Sequence, residues 1–413
     1  MSTRIVVVGG GTAGARLAQR LPVTLLGEES HAPYNRVLLA DVLAGRYASE
    51  VIALPGTREP VRLGVRAVRI DRAARTVECA DGSLVGYDRL VLATGSNPVL
   101  PPLRGLRGAA LPAGVHPFRT LDDCLELRSV VRPGVRAVVI GGGLLGVSAA
   151  RALASLGAEV VLTQQGERLM ERQLDAQASA LLREHVESLG VEVHTECRVS
   201  GLKQRDGAVT AVELADGFVL DAQVVVLACG VRPRVALARE AGLDVATGIV
   251  VDDELRTSDP YIHAIGDCAE HAGRVYGLAG PALEQADVLA DVLLTEAPAP
   301  TRSAPAARRP TTDPGPRYTG TRALTRLTLG GAQPLDLAAF GEATARPGDD
   351  IVQLTDASRG AYRKVVVRGD RLVGGVLLGD LAAVGALARA WEGDEALPDE
   401  APLLHLLTHD GGS

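Results

Sequence analysis

The chain has 413 residues, of which 46% are hydrophobic and 23% are charged, as is typical of globular proteins. At roughly 150 residues per domain, this length predicts two or three domains. The 43 basic and 50 acidic residues give a formal net charge of −7, and only 3% of the residues are aromatic. An acidic chain with few aromatic rings is a poor match to nucleic acid or to an anionic membrane surface, so we expect neither as a partner.

The sequence contains no run of about 18 apolar residues, which excludes a membrane-spanning helix. Its first residues lack the layout of a signal peptide, so we expect a cytoplasmic protein. The five cysteines form no C-x-x-C pair, which excludes a zinc ribbon, a ferredoxin-type cluster and a local redox dithiol. We expect reduced and mostly buried thiols, and we predict no metal site.

Residues 5–14 (IVVVGGGTAG) carry the first nucleotide-binding signal. The β-branched run at its start predicts a buried parallel strand, and the apolar spacing that follows predicts a helix. Between the two, Gly9, Gly11 and Gly14 form the pattern G-x-G-x-x-G, which we call the first fingerprint. In this pattern one glycine makes the turn, one lets a pyrophosphate approach the backbone, and one allows the helix to pack on the strand.

The helix after the first fingerprint begins near Thr12 and Ala13, and a helix N-terminus offers N–H donors and a partial positive charge to phosphate. We therefore include both residues among the cofactor-binding candidates. A second predicted strand, at 23–27, ends in Glu28 and Glu29, about 15 residues past the last glycine. An acid at this place is suited to bind ribose hydroxyls.

Residues 137–146 (AVVIGGGLLG) repeat the signal, with Gly141, Gly143 and Gly146 as the second fingerprint. A helix is predicted over 147–156 and a further strand over 159–163, which ends in Gln164 rather than in an acid. One such pattern is a weak signal, whereas two copies that each follow a strand and precede a helix are a strong one. The sequence therefore predicts an α/β protein with two dinucleotide-binding domains.

Three further predicted strands end in small residues at tight turns. Residues 87–95 end in Ala93, Thr94 and Gly95. Residues 224–233 are their counterpart in the second half, with Gly230 at the turn. Residues 263–268 (HAIGDC) form a short strand that ends in a Gly-Asp pair. These segments complete the pattern of the two predicted domains.

Together these motifs resemble the flavoprotein reductases with two dinucleotide-binding domains, which bind FAD at the first fingerprint and NAD(P)H at the second. The stretches 33–39 (PYNRVLL), 143–146 (GLLG), 168–175 (RLMERQLD) and 248–260 (GIVVDDELRTSDP) extend the match. They resemble the N-terminal flavin half of the assimilatory NAD(P)H nitrite reductase large subunit and, more generally, rubredoxin-reductase-like enzymes. The resemblance covers most of residues 1–295 and continues weakly through 362–380.

The resemblance implies an α/β fold with two Rossmann-like dinucleotide-binding domains, one inserted in the other, plus a small α+β C-terminal domain. We place the FAD-binding domain at 1–112 and 246–296, and the NAD(P)H-binding domain at 113–245. Residues 297–316 hold six prolines and read as a linker, with a basic partner-docking strip as the alternative. Residues 317–413 form the C-terminal interface domain, with predicted strands at 362–367 and 372–378 and a helix at 382–391.

By the same resemblance, Arg36 binds the FAD pyrophosphate, because a guanidinium pairs bidentately with phosphate, and Glu29 binds the adenosine ribose. Asp267 binds a ribityl hydroxyl, and the helix near Pro281 points its positive end at the flavin. Further implied FAD contacts are Val68, Ala93, Thr94, Gly95, Gly266 and Ala282. The implied NAD(P)H contacts are Gly141, Gly143, Leu145, Gly146, Gln164 and Gly230. Hydride transfer between stacked rings needs geometry rather than proton transfer, so we assign no catalytic acid, base or nucleophile.

The sequence also departs from the family at informative places. Ser148 stands where a glutamate is common near the nicotinamide, and Gln164 stands where an acid binds the ribose of NADH. Arg168 could meet a 2′-phosphate, so the preference between NADH and NADPH stays open, as does the full activity of the nicotinamide site. A lysine found in some relatives is replaced by Ala40 and Asp41. Residues 1–78 contain no cysteine, which excludes the thiol-dependent disulfide reductases and water-forming oxidases.

We therefore predict an FAD-dependent NAD(P)H oxidoreductase that passes electrons to a partner, either a nitrite or nitrate reductase, a rubredoxin or a ferredoxin. Nothing in the chain could hold the iron–sulfur or sirohaem centres of a full nitrite reductase, so the electrons must go elsewhere. One alternative is direct reduction of a quinone or a nitrogen oxide. The other is a non-enzymatic flavin- or nucleotide-binding sensor. The redox potential, and whether the chain forms a homodimer, are left open.

Overall fold

Each fingerprint lies in a strand–helix–strand unit, as predicted. The structure, a computed structural model, describes residues 3–106, 110–295, 315–322, 324–330, 334–356, 360–393, 396–397 and 407. Most of the predicted linker, residues 297–314, lies outside the described residues.

The elements follow one another in this order. Up to residue 106 they are β1 (Ile5–Val8), α1 (Thr12–Arg20), β2 (Thr24–Leu26), α2 (Leu39–Leu43), β3 (Ala67–Asp71), β4 (Thr76–Cys79), β5 (Leu84–Gly86), β6 (Arg89–Leu92) and β7 (Ser96–Pro98). Between 110 and 295 they are β8 (Val115–Pro117), α3 (Leu121–Val130), β9 (Arg136–Ile140), α4 (Leu144–Ser155), β10 (Glu159–Thr163), α5 (Ala176–Ser188), β11 (Val191–His194), β12 (Val199–Arg205), β13 (Ala208–Leu214), β14 (Val219–Asp221), β15 (Val224–Leu227), β16 (Val231–Pro233), α6 (Ala236–Glu240), β17 (Ile249–Val251), β18 (Ile262–Ala264), β19 (Ala269–His271) and α7 (Ala279–Thr295). From 315 onward they are β20 (Leu324–Leu329), β21 (Leu335–Gly341), β22 (Asp350–Asp356), β23 (Ala361–Arg368), β24 (Arg371–Leu378) and α8 (Val384–Gly393).

The chain divides into two compact units. The first unit comprises Met1–Leu38, Ala48–Asn97 and Val231–Thr321, and the second comprises Leu39–Tyr47, Pro98–Gly230 and Arg322–Ser413. The chain passes from the first unit to the second between residues 97 and 98, and returns to the first between residues 230 and 231. The domain boundaries placed from the resemblance fall instead at 112/113 and 245/246. Those boundaries stay a prediction.

The first unit is built on a parallel sheet of four strands in the order β18-β6-β1-β2. Its β-branched and leucine-rich strands are buried, as expected for a sheet with both faces covered. Helices α1 and α7 are joined by ion pairs, in which Arg16 and Arg20 of α1 bind Asp287 of α7, and Arg20 also binds Asp291. An antiparallel sheet of three strands, β3-β4-β5, belongs to the same unit.

The second unit repeats this plan. Its parallel sheet has five strands in the order β11-β10-β9-β15-β8, with a companion antiparallel sheet β12-β13-β14. Because its parallel strands fall in the chain between β6 and β18, one parallel α/β sheet is inserted within the sequence of the other. A separate antiparallel sheet, β20-β21-β24-β23-β22, packs against α8 near the end of the chain. The predicted α/β fold with an inserted second domain and a small α+β C-terminal part is therefore confirmed.

Several element boundaries differ from the sequence-based prediction. Helix α4 begins at Leu144 rather than at 147, so that Gly146 lies in its first turn. The reason is that the missing side chain of Gly146 lets the helix start against the strand end at Gly141. The predicted C-terminal helix lies two residues further on, at Val384–Gly393, and the strand within 87–95 is shorter, at Arg89–Leu92. None of the described helices combines the length and the apolar character that crossing a membrane requires.

A buried ion pair joins α5 to strand β23 within the second unit. Asp175 caps α5 by accepting from the Ala178 N–H at 2.9 Å, and it also accepts from Lys364 Nζ at 2.8 Å and from the Tyr362 hydroxyl at 2.7 Å. Burial opposes the charge of this carboxylate, but the bonds from Lys364, Ala178 and Tyr362 hold the pKa of Asp175 below its usual value. The charged form of Asp175 is therefore the one that the fold stabilises.

We expect Asp175→Asn to lower the Tm by an amount corresponding to about 3 kcal/mol at pH 7, because it leaves the buried Lys364 ammonium without a counter-charge. A depressed carboxylate pKa stabilises the fold above the unfolded value of about 3.9, and this contribution is lost as the pH falls below it. The Tm difference between wild type and variant should thus be constant from pH 7 to pH 5 and shrink below about pH 4.

The matched control for this prediction is Asp221→Asn in the same unit. Asp221 pairs with Arg136 at 3.2 Å on the surface, where an ion pair contributes little. We expect no measurable change in its Tm at any of these pH values. Equal losses in the two variants, or an Asp175→Asn difference that grows as the pH falls, would contradict the assignment.

Candidate cofactor-binding sites

The first fingerprint contains two glycines that the packing requires. Gly9 has φ +118°, and a Cβ there would lie 2.1 Å from the carbonyl oxygen of Ala93. A Cβ at Gly14 would lie 2.0 Å from the carbonyl oxygen of Gly9. Neither distance is compatible with a side chain, so these two glycines allow strand β1, strand β6 and helix α1 to approach closely.

Gly11 differs from its neighbours, because no described atom lies within 4 Å of the position that its Cβ would take. It is the N-cap of α1 with φ −78° and ψ −170°, a conformation open to any residue. Its glycine is therefore required by neither the backbone nor the packing. Thr12 and Ala13 form the first turn of α1, so the open space at Gly11 adjoins a helix N-terminus, the place where proteins bind phosphate.

The second fingerprint has the same geometry. Gly141 has φ +114°, with its Cβ position 2.4 Å from the carbonyl oxygen of Ala228, and a Cβ at Gly146 would lie 1.7 Å from the Gly141 oxygen. Gly143 caps α4 with φ −80° and has no described atom within 4 Å of its Cβ position. Leu145 lies in the first turn of α4. We call an open glycine at the start of a helix, together with the first turn of that helix, a cradle. Gly11 with α1 forms the first cradle, and Gly143 with α4 forms the second.

Strand ends lie beside both fingerprints. Ala93, whose carbonyl meets Gly9, is followed by Thr94 and by Gly95 at φ +71°, and in the second unit Ala228 is followed two residues on by Gly230 at φ +96°. The Thr94 hydroxyl donates to the carbonyl of Arg234 at 2.7 Å, which fixes this turn. No described atom lies within 4 Å of the Cβ position of Gly95 or of Gly230, so both turns leave their backbone open to a ligand.

Two helix starts converge on Gly266 in the first unit. A Cβ at Gly266 would lie 3.1 Å from the Cβ of Ala13 and 3.9 Å from that of Ala282.

Gln285 of α7 is buried and accepts from the Gly266 N–H at 2.7 Å, and the neighbouring Asp267 accepts from the Ser96 hydroxyl at 2.9 Å. The turn at 266–267 is therefore placed between the N-terminal ends of α1 and α7. Pro281, in the first turn of α7, is buried there. Nothing in the sequence motifs pointed to Gln285 or Ser96, which require the folded chain to be recognised.

Arg36 and Glu29 come together through a third residue. Arg36 forms an ion pair with Glu29, and both side chains are about a quarter exposed. The hydroxyl of Tyr34 donates to Glu29 Oε2 at 2.6 Å and accepts from Arg36 Nη1 at 3.0 Å. Burial opposes the charge of Arg36, but Tyr34, Glu29 and Asp267 hold its pKa above the usual value. The sequence motif identified Arg36 and Glu29 but assigned no role to Tyr34. The neighbouring acid, Glu28, pairs instead with Arg234.

Val68 and Ser148 lie on two different elements, β3 and α4. Val68 lies on β3 of the small antiparallel sheet, at an irregularity in its pairing with β4. Its role depends on the resemblance alone. Ser148 donates its hydroxyl to the carbonyl of Leu144 at 2.8 Å within α4. This bond is internal to the helix and does not replace the charge of a glutamate.

Gln164 has a structural role that its sequence position did not indicate. Its Oε1 accepts from the Gly142 N–H at 2.8 Å, and a Cβ at Gly142 would lie 2.9 Å from the Gln164 Cβ. The side chain at the end of β10 therefore holds the turn of the second fingerprint. Arg168 is two residues from Met170, whose N–H donates to the Gly142 carbonyl at 2.9 Å. The Nε of Arg168 is buried and has no hydrogen-bond partner among the residues that the structure describes.

We expect Gln164→Glu to raise the ratio of kcat/KM for NADH over NADPH by about tenfold. One carboxylate oxygen can keep the bond from Gly142, while the other accepts from ribose hydroxyls and repels a 2′-phosphate. Gln165→Glu, one residue further on, is the control for added negative charge alone. An equal shift in both variants would contradict a specific place for Gln164 at the ribose.

The cysteine thiols are largely buried. All five cysteines are free, with three buried and two half-buried. Burial raises the pKa of Cys124 and of Cys229 to about 11, so these thiols stay protonated at neutral pH. Among the residues that the structure describes, no group of three or more His, Cys, Asp or Glu side chains could hold a metal ion.

The two cradles, each an open glycine at a helix start between packed ones, define an α/β protein with two dinucleotide-binding sites. Comparison with known proteins specifies the class further. Residues 3–286 match the family described as pyridine nucleotide-disulphide oxidoreductase, and residues 332–392 match the rubredoxin NAD⁺ reductase C-terminal domain. The chain belongs to the pyridine nucleotide-disulphide oxidoreductase family, whose members bind FAD and NAD(P)H.

Curated relatives agree with the resemblance found in the sequence motifs. The chain is 34% identical to a nitrite reductase [NAD(P)H] of Bacillus subtilis over 91% of its own length and 46% of that protein. It is 32% identical to the assimilatory nitrate reductase electron transfer subunit of the same organism, over 91% of the chain and 48% of that protein. It is 33% identical to a rubredoxin-NAD(+) reductase of Pseudomonas putida, over 72% of the chain and 82% of that protein. The predicted family resemblance is therefore confirmed, and the chain spans about half the length of the nitrite reductases that it matches.

Solved structures show the same fold. A ferredoxin reductase from Rhodopseudomonas palustris matches with a TM-score of 0.82 and 26% identity, over 98% of this chain and 99% of that one. A covalent putidaredoxin reductase–putidaredoxin complex matches with a TM-score of 0.81 and 26% identity, over 98% of both chains. Both solved structures match the fold of this chain over nearly its full length.

Proposed function

We propose that this chain is an FAD-dependent NAD(P)H oxidoreductase that takes hydride from the nucleotide and passes the electrons to a partner redox protein. The observation that carries the proposal is the repeated cradle. Gly11 and Gly143 are the two fingerprint glycines that neither φ nor packing explains, and each opens at the N-terminus of a helix. A glycine kept at such a place fits a ligand that approaches the backbone, and a pyrophosphate is the ligand that a helix N-terminus favours.

The residues of the first unit fit FAD. The N–H groups at the start of α1 would bind its pyrophosphate together with the Arg36 guanidinium, and Glu29 would accept from the adenosine ribose. Asp267 would bind the ribityl chain beside Gly266. The N-terminal end of α7, next to this turn, would supply a partial positive charge where the reduced ring carries negative charge. FAD, when bound, supplies a ring that accepts a hydride and releases electrons singly.

The residues of the second unit fit NAD(P)H. Gly143 and the first turn of α4 would bind the pyrophosphate, with Gln164 holding the turn and facing the adenosine ribose. The chain then has to orient the nicotinamide and exclude water, and it needs no acid or base of its own. We further propose the domain assignment of 1–112 with 246–296 for FAD and 113–245 for NAD(P)H, which follows the family plan.

Electrons would leave the protein without passing through a protein disulfide. The five cysteines are free, and burial raises the pKa of Cys124 and of Cys229 to about 11. A partner protein is the acceptor that we favour, because relatives of this chain are named as electron transfer components. The names of the relatives indicate three kinds of partner, namely a nitrite or nitrate reductase, a rubredoxin and a ferredoxin. We expect the reaction to take place in the cytoplasm.

The test is an anaerobic titration of the purified yellow protein with NADH and then with NADPH, followed in the flavin bands. Rapid bleaching by one nucleotide supports the reductase and identifies its donor. The reduced protein is then mixed with a rubredoxin, a ferredoxin or a quinone. Faster reoxidation by a carrier protein than by the quinone supports the proposed acceptor. Flavin that neither nucleotide reduces, although dithionite does, would overturn the reductase in favour of a flavin-binding sensor.

A further inference from the structure

Tyr34 lies between Arg36 and Glu29, the two charged residues that the proposed function assigns to FAD. It is 4% exposed, and an antiparallel bridge to Ala53 holds its backbone. The main chain on either side is tied by bonds from the Asn35 N–H to the Ile52 carbonyl and from the Leu54 N–H to the Pro33 carbonyl, both at 2.8 Å. The ring is therefore fixed by burial and by its backbone, independently of any ligand.

The hydroxyl of Tyr34 acts as both donor and acceptor. It donates to Glu29 Oε2 at 2.6 Å and accepts from Arg36 Nη1 at 3.0 Å. The guanidinium carbon of Arg36 also lies 4.9 Å from the centre of the tyrosine ring, a cation–π arrangement. A single fixed side chain thus sets the orientation of both charged neighbours.

The two charged neighbours attract each other as well as any ligand. Arg36 and Glu29 form an ion pair in this structure, and a pyrophosphate and a ribose would compete with that pair for the same atoms. The Tyr34 hydroxyl binds the second carboxylate oxygen of Glu29 and the second terminal nitrogen of Arg36, so two contacts rather than one fix the orientation of each charged group. Hydrogen bonds to charged groups are among the stronger ones in proteins, so the phenol is well suited to this role.

We propose that Tyr34 is a positioning residue for FAD, holding Arg36 and Glu29 in the orientation that binds the adenosine diphosphate half of the cofactor. This inference rests on the proposed function, in which the first unit binds FAD. It distinguishes the two ends of the cofactor, because Tyr34 acts on the pyrophosphate and ribose and has no role at the flavin ring. If Tyr34 were needed only for folding, its substitution would weaken the binding of both ends of the cofactor equally.

The experiment uses the full chain stripped of flavin and compares Tyr34→Phe with wild type. FAD, ADP and riboflavin are the probes, with affinities measured by quenching of flavin fluorescence and by displacement. We expect the Kd for FAD and the Kd for ADP each to rise about tenfold, because one hydrogen bond to each charged group is lost. We expect the Kd for riboflavin, and the Tm of the flavin-free protein, to match those of the control variant.

The matched control is Tyr87→Phe, which removes another buried phenol hydroxyl of the first unit. Tyr87 precedes β6, at the opposite end of that strand from Thr94 and Gly95. A second variant, Glu29→Gln, keeps an acceptor for Tyr34 but removes the charge, and it should also weaken FAD and ADP without changing riboflavin.

Four outcomes of this experiment are informative. Selective loss of FAD and ADP affinity in Tyr34→Phe supports the inference. An equal loss for riboflavin, or unchanged affinity for all three probes, overturns it. A wild-type protein that binds neither FAD nor riboflavin instead contradicts the proposed function, so the two failures are distinguishable.

Discussion

Gly11→Val should give a colourless protein whose fold is intact. The open space at Gly11 accepts the new side chain, since no described atom lies within 4 Å of its Cβ position. Its φ of −78° and ψ of −170° suit valine, a residue that favours extended backbone. We expect the isopropyl side chain to meet a ligand that approaches the start of α1. We therefore expect the Kd for FAD to rise by about a hundredfold or more, while the Tm of the flavin-free protein stays close to wild type.

The measurement is the ratio of flavin to protein absorbance after purification, together with the Tm of the flavin-free protein. Gly56→Val is the control, because Gly56 belongs to the same unit and also has no described atom within 4 Å of its Cβ position. It should remain yellow. Gly14→Val should instead lower the stability of the first unit, because its Cβ position lies 2.0 Å from a carbonyl oxygen. A Gly11→Val protein with the full flavin content would remove the first fingerprint from the cofactor site.

The cradles could be predicted from the sequence because their chemistry depends on missing side chains. A glycine that lets a backbone approach another backbone or a phosphate leaves its mark in the sequence itself, as Gly9 and Gly141 do with φ of +118° and +114°. The β-branched runs before them predict buried parallel strands for the same local reason. Both signals are read within about 20 residues, and the structure places them as expected.

The partners that hold the sites and the fold together could not be predicted, either because they are distant in the chain or because no motif marks them. Ser96 and Asp267 are 171 residues apart, and Lys364 is 189 residues from Asp175. No local pattern marks Gln285 as the acceptor for Gly266, or Tyr34 as the link between Arg36 and Glu29. Gln164 shows the converse limit, since its position after β10 suggested the ribose but did not reveal its bond to Gly142.

Gly143→Val should impair the nucleotide site and leave FAD bound, which is the reverse of the result expected for Gly11→Val. Gly143 has φ −80° and ψ −176° at the N-cap of α4, and the space at its Cβ position is as open as at Gly11. The variant should therefore fold, keep its FAD and stay yellow. The valine would occupy the approach of the nucleotide pyrophosphate in the second unit, so we expect reduction of the flavin by NADH or NADPH to slow by about a hundredfold or more.

The measurement is stopped-flow bleaching of the flavin under anaerobic conditions, with dithionite as a reductant that needs no nucleotide site. Gly143→Val should bleach normally with dithionite and slowly with either nucleotide, whereas Gly11→Val has no bound flavin to bleach until FAD is added in excess. Each variant is thus the control for the other, because the same substitution at the same place in the motif removes a different cofactor. Normal nucleotide-driven bleaching in Gly143→Val would show that hydride reaches the flavin by a route that does not use the second fingerprint.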